Sequence, residues 1–182
     1  MDIPEQQTIF VAGALLCAII SAIPDVFRRR IPNVITGPAV LAGLALHAVT
    51  GGWSGLGNSA LAGLIAGCIF LVFWLVGGLG AGDVKLMTAV GCFAGLSQLP
   101  LVLISTLVAG GAFAITVSLA HGRLLQTLRN VVELIAHHRR AGLTPHPELN
   151  LKNSQTFRLP FALPAAAGCL FSIFMLIRGL HG

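Results

Sequence analysis

The chain has 182 residues, 55% of them apolar and only 9% charged, with a net charge of +5. Soluble domains carry about 25% charged residues, so this composition excludes a water-soluble globule, and several apolar runs approach or exceed the roughly 18–20 residues that cross a bilayer. The basic residues flank those runs, no nucleic-acid-binding motif occurs and tyrosine is absent, so the charge sets membrane orientation and implies no nucleic-acid partner.

Taken in order, the sequence predicts an all-α, polytopic membrane helix bundle of about six transmembrane helices. Residues 1–182 are expected to form a single membrane-embedded domain. The first span covers about 8–23. Asp2 and Glu5 precede it in place of a basic region, and no small-x-small cleavage site follows, so it reads as a retained helix and not a signal peptide. It ends in Pro24-Asp25, ahead of Arg28-Arg29-Arg30. The second span covers about 34–49, with His47 expected as a packing residue. The third covers about 56–76 and gives way to Gly77-Gly78-Leu79-Gly80-Ala81-Gly82. After Asp83 and Lys85 come a short fourth span at about 86–96 and a fifth at 99–120. A loop of about 121–158 leads to the sixth span at 161–177.

Within that loop, Leu124, Leu128, Val131, Val132 and Ile135 recur at helical spacing opposite a basic face. A helix lying on the inner membrane surface is expected there, as a lipid-anchored connector more than a docking platform. His137 and His138 are read as solvated or interfacial. Gly63/Gly67 and Gly91/Gly95 form Gly-x-x-x-Gly pairs that let helix backbones approach closely. They are read as packing within the bundle, and a homo-oligomer is left open. Cys17, Cys68, Cys92 and Cys169 lie singly in apolar segments, which argues for packing and against a metal site or a disulfide framework.

With the amino terminus outside and six crossings, Arg28, Arg29, Arg30, Lys85, Arg123, Arg129, Arg139, Arg140, Lys152 and Arg158 fall inside and only Arg178 falls outside. The positive-inside rule therefore puts both termini on the outer side.

Of the six acidic residues, Asp2 and Glu5 sit in the outer tail and Glu133 and Glu148 in the inner loop. That leaves Asp25 and Asp83 at the inner ends of spans. A carboxylate near hydrocarbon is costly and marks a functional position. Taken singly, Asp25 could be an interfacial residue beside arginines and Asp83 a helix cap. Together they share a side and a depth. Two carboxylates in contact share a proton, so one can take a proton from water while the other hydrogen-bonds a peptide carbonyl. The glycines before Asp83 permit irregular backbone and close approach of a substrate. Serine and threonine in the spans have no visible base, which leaves a serine protease unsupported.

Gly80-Ala81-Gly82-Asp83 is a Gly-x-Gly-Asp signature, continued by Val84-Lys85-Leu86. Together with Ile23-Pro24-Asp25, Arg30-Ile31-Pro32-Asn33 and Leu159-Pro160-Phe161, it resembles the type IV prepilin peptidase family over nearly the whole chain. Ala162 stands where the third element would carry glycine. The resemblance implies an aspartic endopeptidase in the bacterial inner membrane, multi-pass with both termini periplasmic. It would use Asp25, Asp83 and water, with no cofactor or metal, to remove the short basic leader peptide of prepilins or pseudopilins at the cytoplasmic face. Gly80, Gly82, Lys85, Pro160 and Phe161 are implied as substrate-binding or supporting residues, Lys85 either steering an acidic substrate residue or anchoring the helix. The paired cysteines of the long forms are missing, so the chain is similar to the short form of tight-adherence pili and is not expected to N-methylate its product. Presenilin-like and signal-peptide-peptidase-like proteases share Gly-x-Gly-Asp but expect a longer chain and Pro-Ala-Leu, whereas this chain has Ala162-Leu163-Pro164. A transporter or scaffold would need carboxylates in mid-span, where none occurs.

Overall fold

A computed structural model describes residues 3–142 and 159–180. Five helices follow in order: α1 (Ile3–Arg28), α2 (Asn33–Leu75), α3 (Ala81–Ala120), α4 (Leu124–Ala141) and α5 (Ala162–Leu180). There is no strand among the described residues. Four of the helices, all but α4, are long and apolar enough to cross a membrane.

The count differs from the six spans expected because the second and third spans form one 43-residue helix and the fourth and fifth one 40-residue helix. Each long helix contains one glycine outside helical geometry. In α2 it is Gly52, with φ 59° and ψ −142°, and in α3 it is Gly95, with φ 66° and ψ 172°. Contacts show that α2 doubles back. A Cβ at Gly43 would sit 3.0 Å from Cys92, and one at Gly63 would run into the Cys92 sulfur. Twenty residues of straight helix span about 30 Å, so both can meet one residue only if the chain reverses between them. α3 likewise brings Asp83 and Gly110 to one cavity.

Helix ends also differ from expectation. α1 continues through Pro24 to Arg28, so Asp25 lies inside the last turns of a helix and not beyond its end. Pro24 removes one backbone donor there. α3 begins at Ala81, so Asp83 belongs to its first turn, ahead of the expected start at 86. α4 falls where a helix is expected in the loop; of its expected apolar residues Leu128, Val131, Val132 and Ile135 are exposed and Leu124 is half-buried. It is tied to the end of α3 by a 3.0 Å bond between Ser118 and Thr127 hydroxyls. The remaining loop residues, 143–158, with Glu148, Lys152 and Arg158, lie outside the described residues.

Lipid is as apolar as leucine, so close packing, not apolar burial, must hold such helices together. The buried stripe of α1 is Val11, Ala14, Ala18, Ser21 and Asp25, which places the carboxylate on the line of small residues facing the bundle. In α5 the stripe is Ala162, Ala165, Cys169 and Ser172. Three of the four paired glycines pack helix on helix as expected, Gly63 on Cys92, Gly67 on Thr88 and Gly91 on Ala62 and Ala66, whereas Gly95 leaves helical geometry and forms the break in α3. Buried Cys17, Cys92 and Cys169 are free thiols, as is the exposed Cys68.

A Gly91→Leu variant should lose about 1–3 kcal/mol of stability through overpacking against Ala62 and Ala66. Gly37→Ala, where nothing lies within 4 Å, should be neutral or slightly stabilising. Thermal unfolding of both variants in detergent checks the contrast.

Candidate active site

Asp25 and Asp83 line one cavity of about 780 Å³. Asp25 is 5% exposed, and its Oδ2 accepts the backbone N–H of Ala162 at 3.0 Å, from 137 positions further on. Ala162 opens α5, so the carboxylate sits where a helix N-terminus offers unpaired N–H groups and the positive end of its dipole. Leu159-Pro160-Phe161 delivers that N-terminus. The Phe161 ring packs edge-on against Phe70, centroids 5.4 Å apart, and its carbonyl accepts the N–H of Ala165. Ala162 is fully buried.

Asp83 stands in the first turn of α3, and its Oδ2 accepts the N–H of Gly80 at 2.9 Å. This is the carboxylate half of a capping box. The capping role weighed for this residue is therefore present, and it also aims the carboxylate at the cavity. Both carboxylates line the same cavity.

The other sequence-selected residues surround the pair. Gly80, Gly82, Lys85, Pro160 and Phe161 all line the cavity. The glycines have local reasons to be glycine besides admitting a substrate. A Cβ at Gly82 would lie 3.1 Å from the Ile31 side chain, and one at Gly80 would lie 3.3 Å from the Asp83 carboxylate. Exposed Lys85 donates to Asn33 Oδ1 at 2.7 Å. Ile31 and Asn33 belong to the Arg30-Ile31-Pro32-Asn33 segment, so the two aspartate segments are joined at Gly82 and at Lys85.

Sequence reasoning missed the rest of the lining. Arg29 and Arg30 add positive charge beside the carboxylates, and Arg29 holds a left-handed backbone at φ 52°. Phe73, Trp74, Leu107 and Phe113 supply an apolar wall, and Gly110, Gly111 and Pro164 complete it. Their residue types carried no signal, because lipid-facing and cavity-facing aromatics look alike in an apolar span. The Ala162 N–H was invisible for a different reason: any residue but proline supplies it. His47 stands away from the cavity, buried and bonded to the Phe93 carbonyl, as a packing residue would be. No group of three or more metal-ligating side chains occurs among the described residues.

Two carboxylates on separate helices, each held by an N–H at a helix start and facing one cleft, form a site suited to hydrolysis. Residues 11–115 match the model of the type IV leader peptidase family, and the chain belongs to that family of peptidases. Among curated relatives, a prepilin leader peptidase/N-methyltransferase of Escherichia coli (strain K12) is 32% identical over 133 residues, covering 66% of this chain and 58% of its own. A protein of that name from Burkholderia pseudomallei (strain K96243) is 36% identical over 107 residues, covering 53% of this chain and 34% of its own. Another from Aeromonas salmonicida is 34% identical over 115 residues, covering 58% of this chain and 39% of its own. The chain thus matches about a third to three fifths of the length of these relatives. No solved structure matches it.

The Ala162 bond to Asp25 can be isolated. Ala162→Pro removes the donor at a helix position that accepts proline. It should cost about 1.5–3 kcal/mol, the range for hydrogen bonds to charged groups. In an Asp25→Ala background the same change should cost less than half as much, and a double-mutant cycle of thermal stabilities reads the coupling.

Proposed function

We propose that this chain is an intramembrane aspartic endopeptidase that removes the short basic leader from prepilins or pseudopilins at the cytoplasmic face of the bacterial inner membrane. The observation that carries the reading is the meeting of Asp25 and Asp83 at one cavity in a chain of this family. One carboxylate takes a proton from a water, whose oxygen attacks the scissile carbonyl carbon. The other, protonated, donates to the carbonyl oxygen as the tetrahedral diol forms. A proton then passes to the amide nitrogen, the C–N bond breaks, and the pair returns to its singly protonated state. Gly80 and Ala162 hold the two carboxylates, while Phe161, packed on Phe70, anchors the residue before Ala162 and Pro160 lines the cavity. Gly82 and Lys85 fix the Asp83 segment to the segment after Asp25.

The membrane arrangement follows the same reading. If α2 and α3 each cross twice, residues 1–182 form one domain of six crossings with both termini periplasmic. Asp25, Arg29, Arg30, Asp83 and Lys85 share the cavity. Gln7 and Gln98 bond to each other near Gly95, at the other end of the first arm of α3. The exposed apolar face of α4 would then rest on the inner leaflet, with lipid as its partner.

Asp25→Asn and Asp83→Asn should each remove nearly all cleavage of a prepilin by the purified, inserted chain. The double variant should be little worse than either, because residues acting as a unit are grossly non-additive. Folding should persist, since a neutral amide is less costly near lipid than a charge. Mass spectrometry of the matured product reads cleavage and should find an unmethylated amino terminus. Substantial turnover by either asparagine variant would return Asp83 to the role of a cap alone. Separately, alkaline phosphatase fused after Gly182 should be active in the periplasm, and a cytoplasmic carboxyl terminus would overturn the topology.

A further inference from the structure

We propose that His47, Asn58 and Ser59 of α2 are positioning residues for Asp83, acting from the far end of its helical arm. The proposal rests on the aspartate pair described above. At Gly95 the chain leaves helical geometry, with φ 66° and ψ 172°. In an uninterrupted helix the Leu96 N–H would donate to the Cys92 carbonyl. Here the two halves of that bond go to adjacent side chains of α2. Leu96 N–H donates to Asn58 Oδ1 at 2.8 Å, and Ser59 Oγ donates to the Cys92 carbonyl at 2.7 Å. The next carbonyl, that of Phe93, accepts from His47 Nε2 at 2.9 Å. Three bonds from one hairpin thus replace the helix's own bonds at its break.

The close approach is built into the neighbours. A Cβ at Gly95 would lie 2.8 Å from both Asn58 Oδ1 and the His47 ring, and one at Gly55 would collide with the His47 carbonyl. Phe10 of α1 stacks on the His47 ring, centroids 4.0 Å apart. These contacts fix the direction in which the first arm of α3, Ala81 to Ala94, leaves the break. That arm is about 21 Å long at 1.5 Å per residue. A tilt of about 3° at the break therefore moves its far end by about 1 Å, a displacement that can cost roughly a hundredfold in rate. Asp83 stands at that far end. The bond from Ser59 to the Cys92 carbonyl is buried, so that carbonyl depends on a protein partner.

The test uses the full chain in phospholipid nanodiscs with a prepilin substrate. Asn58→Ala and His47→Ala should lower kcat tenfold or more while KM stays within about twofold, the pattern of an interaction realised only in the transition state. His47→Gln keeps an N–H for the Phe93 carbonyl and should recover kcat to within about threefold of the parent. A second readout needs no activity. Spin labels on Phe27→Cys and Ala81→Cys, exposed positions beside the two aspartates, in a chain whose four native cysteines are replaced, should show a broader separation when Asn58→Ala is added. If the parent chain does not cleave, the proposed function fails while the label separation still decides this inference. Parent-like kcat together with an unchanged separation in Asn58→Ala overturns it. Should Asn58→Ala not fold, Asn58→Asp, which keeps the acceptor, must restore both fold and kcat. A folded Asn58→Asp chain with a tenfold loss of kcat also overturns it.

Discussion

A helix that breaks leaves backbone N–H and C=O groups without their partners, and in an apolar bundle the protein itself must satisfy them. That demand is concentrated at Gly95, and α2 is shaped to meet it. The reversal near Gly52 brings His47, Asn58 and Ser59 into one clasp, and glycines 43, 55 and 63 clear the space in which Cys92 and the break can sit. Without the α2 hairpin the α3 break would expose unpaired polar backbone. Without the α3 break the two arms of α3 could not reach the same cavity.

Similar logic operates at the aspartate end. Helix starts are another place where backbone donors lack partners, and here carboxylates take them. Asp83 uses the start of its own helix, and Asp25 uses the start of α5. Charge at these positions has a local structural purpose. Two acidic side chains can therefore be held at one cavity in a chain otherwise almost free of charge in its helical arms.

Much of this was legible in the sequence because its signals are strong ones. Long apolar runs, two isolated aspartates and the Gly-x-Gly-Asp signature pointed to an all-α membrane bundle and to Asp25 and Asp83 facing one site. Helix boundaries were less legible. Pro24 suggested an end to the first helix, yet α1 continues for four more residues, since a proline costs one bond and tertiary packing can outweigh it. The glycine-rich stretch suggested a loop up to Asp83, but only Gly77 in it takes a positive φ, and α3 starts at Ala81. The reversal at Gly52 falls in the gap between the spans expected at 34–49 and 56–76, and that at Gly95 falls at the end of the span expected at 86–96, just before the one at 99–120, although helical hydrogen bonding runs almost unbroken through each. Partners such as Ala162 N–H and the Cys92 carbonyl are backbone atoms, which no residue type announces. Asn58 and Ser59 are ordinary polar residues until the break they serve is known.

The bond between Asp25 and Ala162 also has a meaning in time. The chain is made from its amino terminus, so Asp25 and Asp83 leave the ribosome before the residue that steadies Asp25 has been added. Seventy-nine residues separate Asp83 from Ala162, roughly 4–16 s of synthesis at 5–20 residues per second. During that interval Asp25 has no α5 to hold it, and the cavity lacks Pro160, Phe161 and Pro164 from its wall. A nascent chain inserting into a membrane crowded with other polypeptides thus carries both acids but not a finished site. Completion waits for α5, which makes synthesis through that helix the condition for assembling the aspartate site.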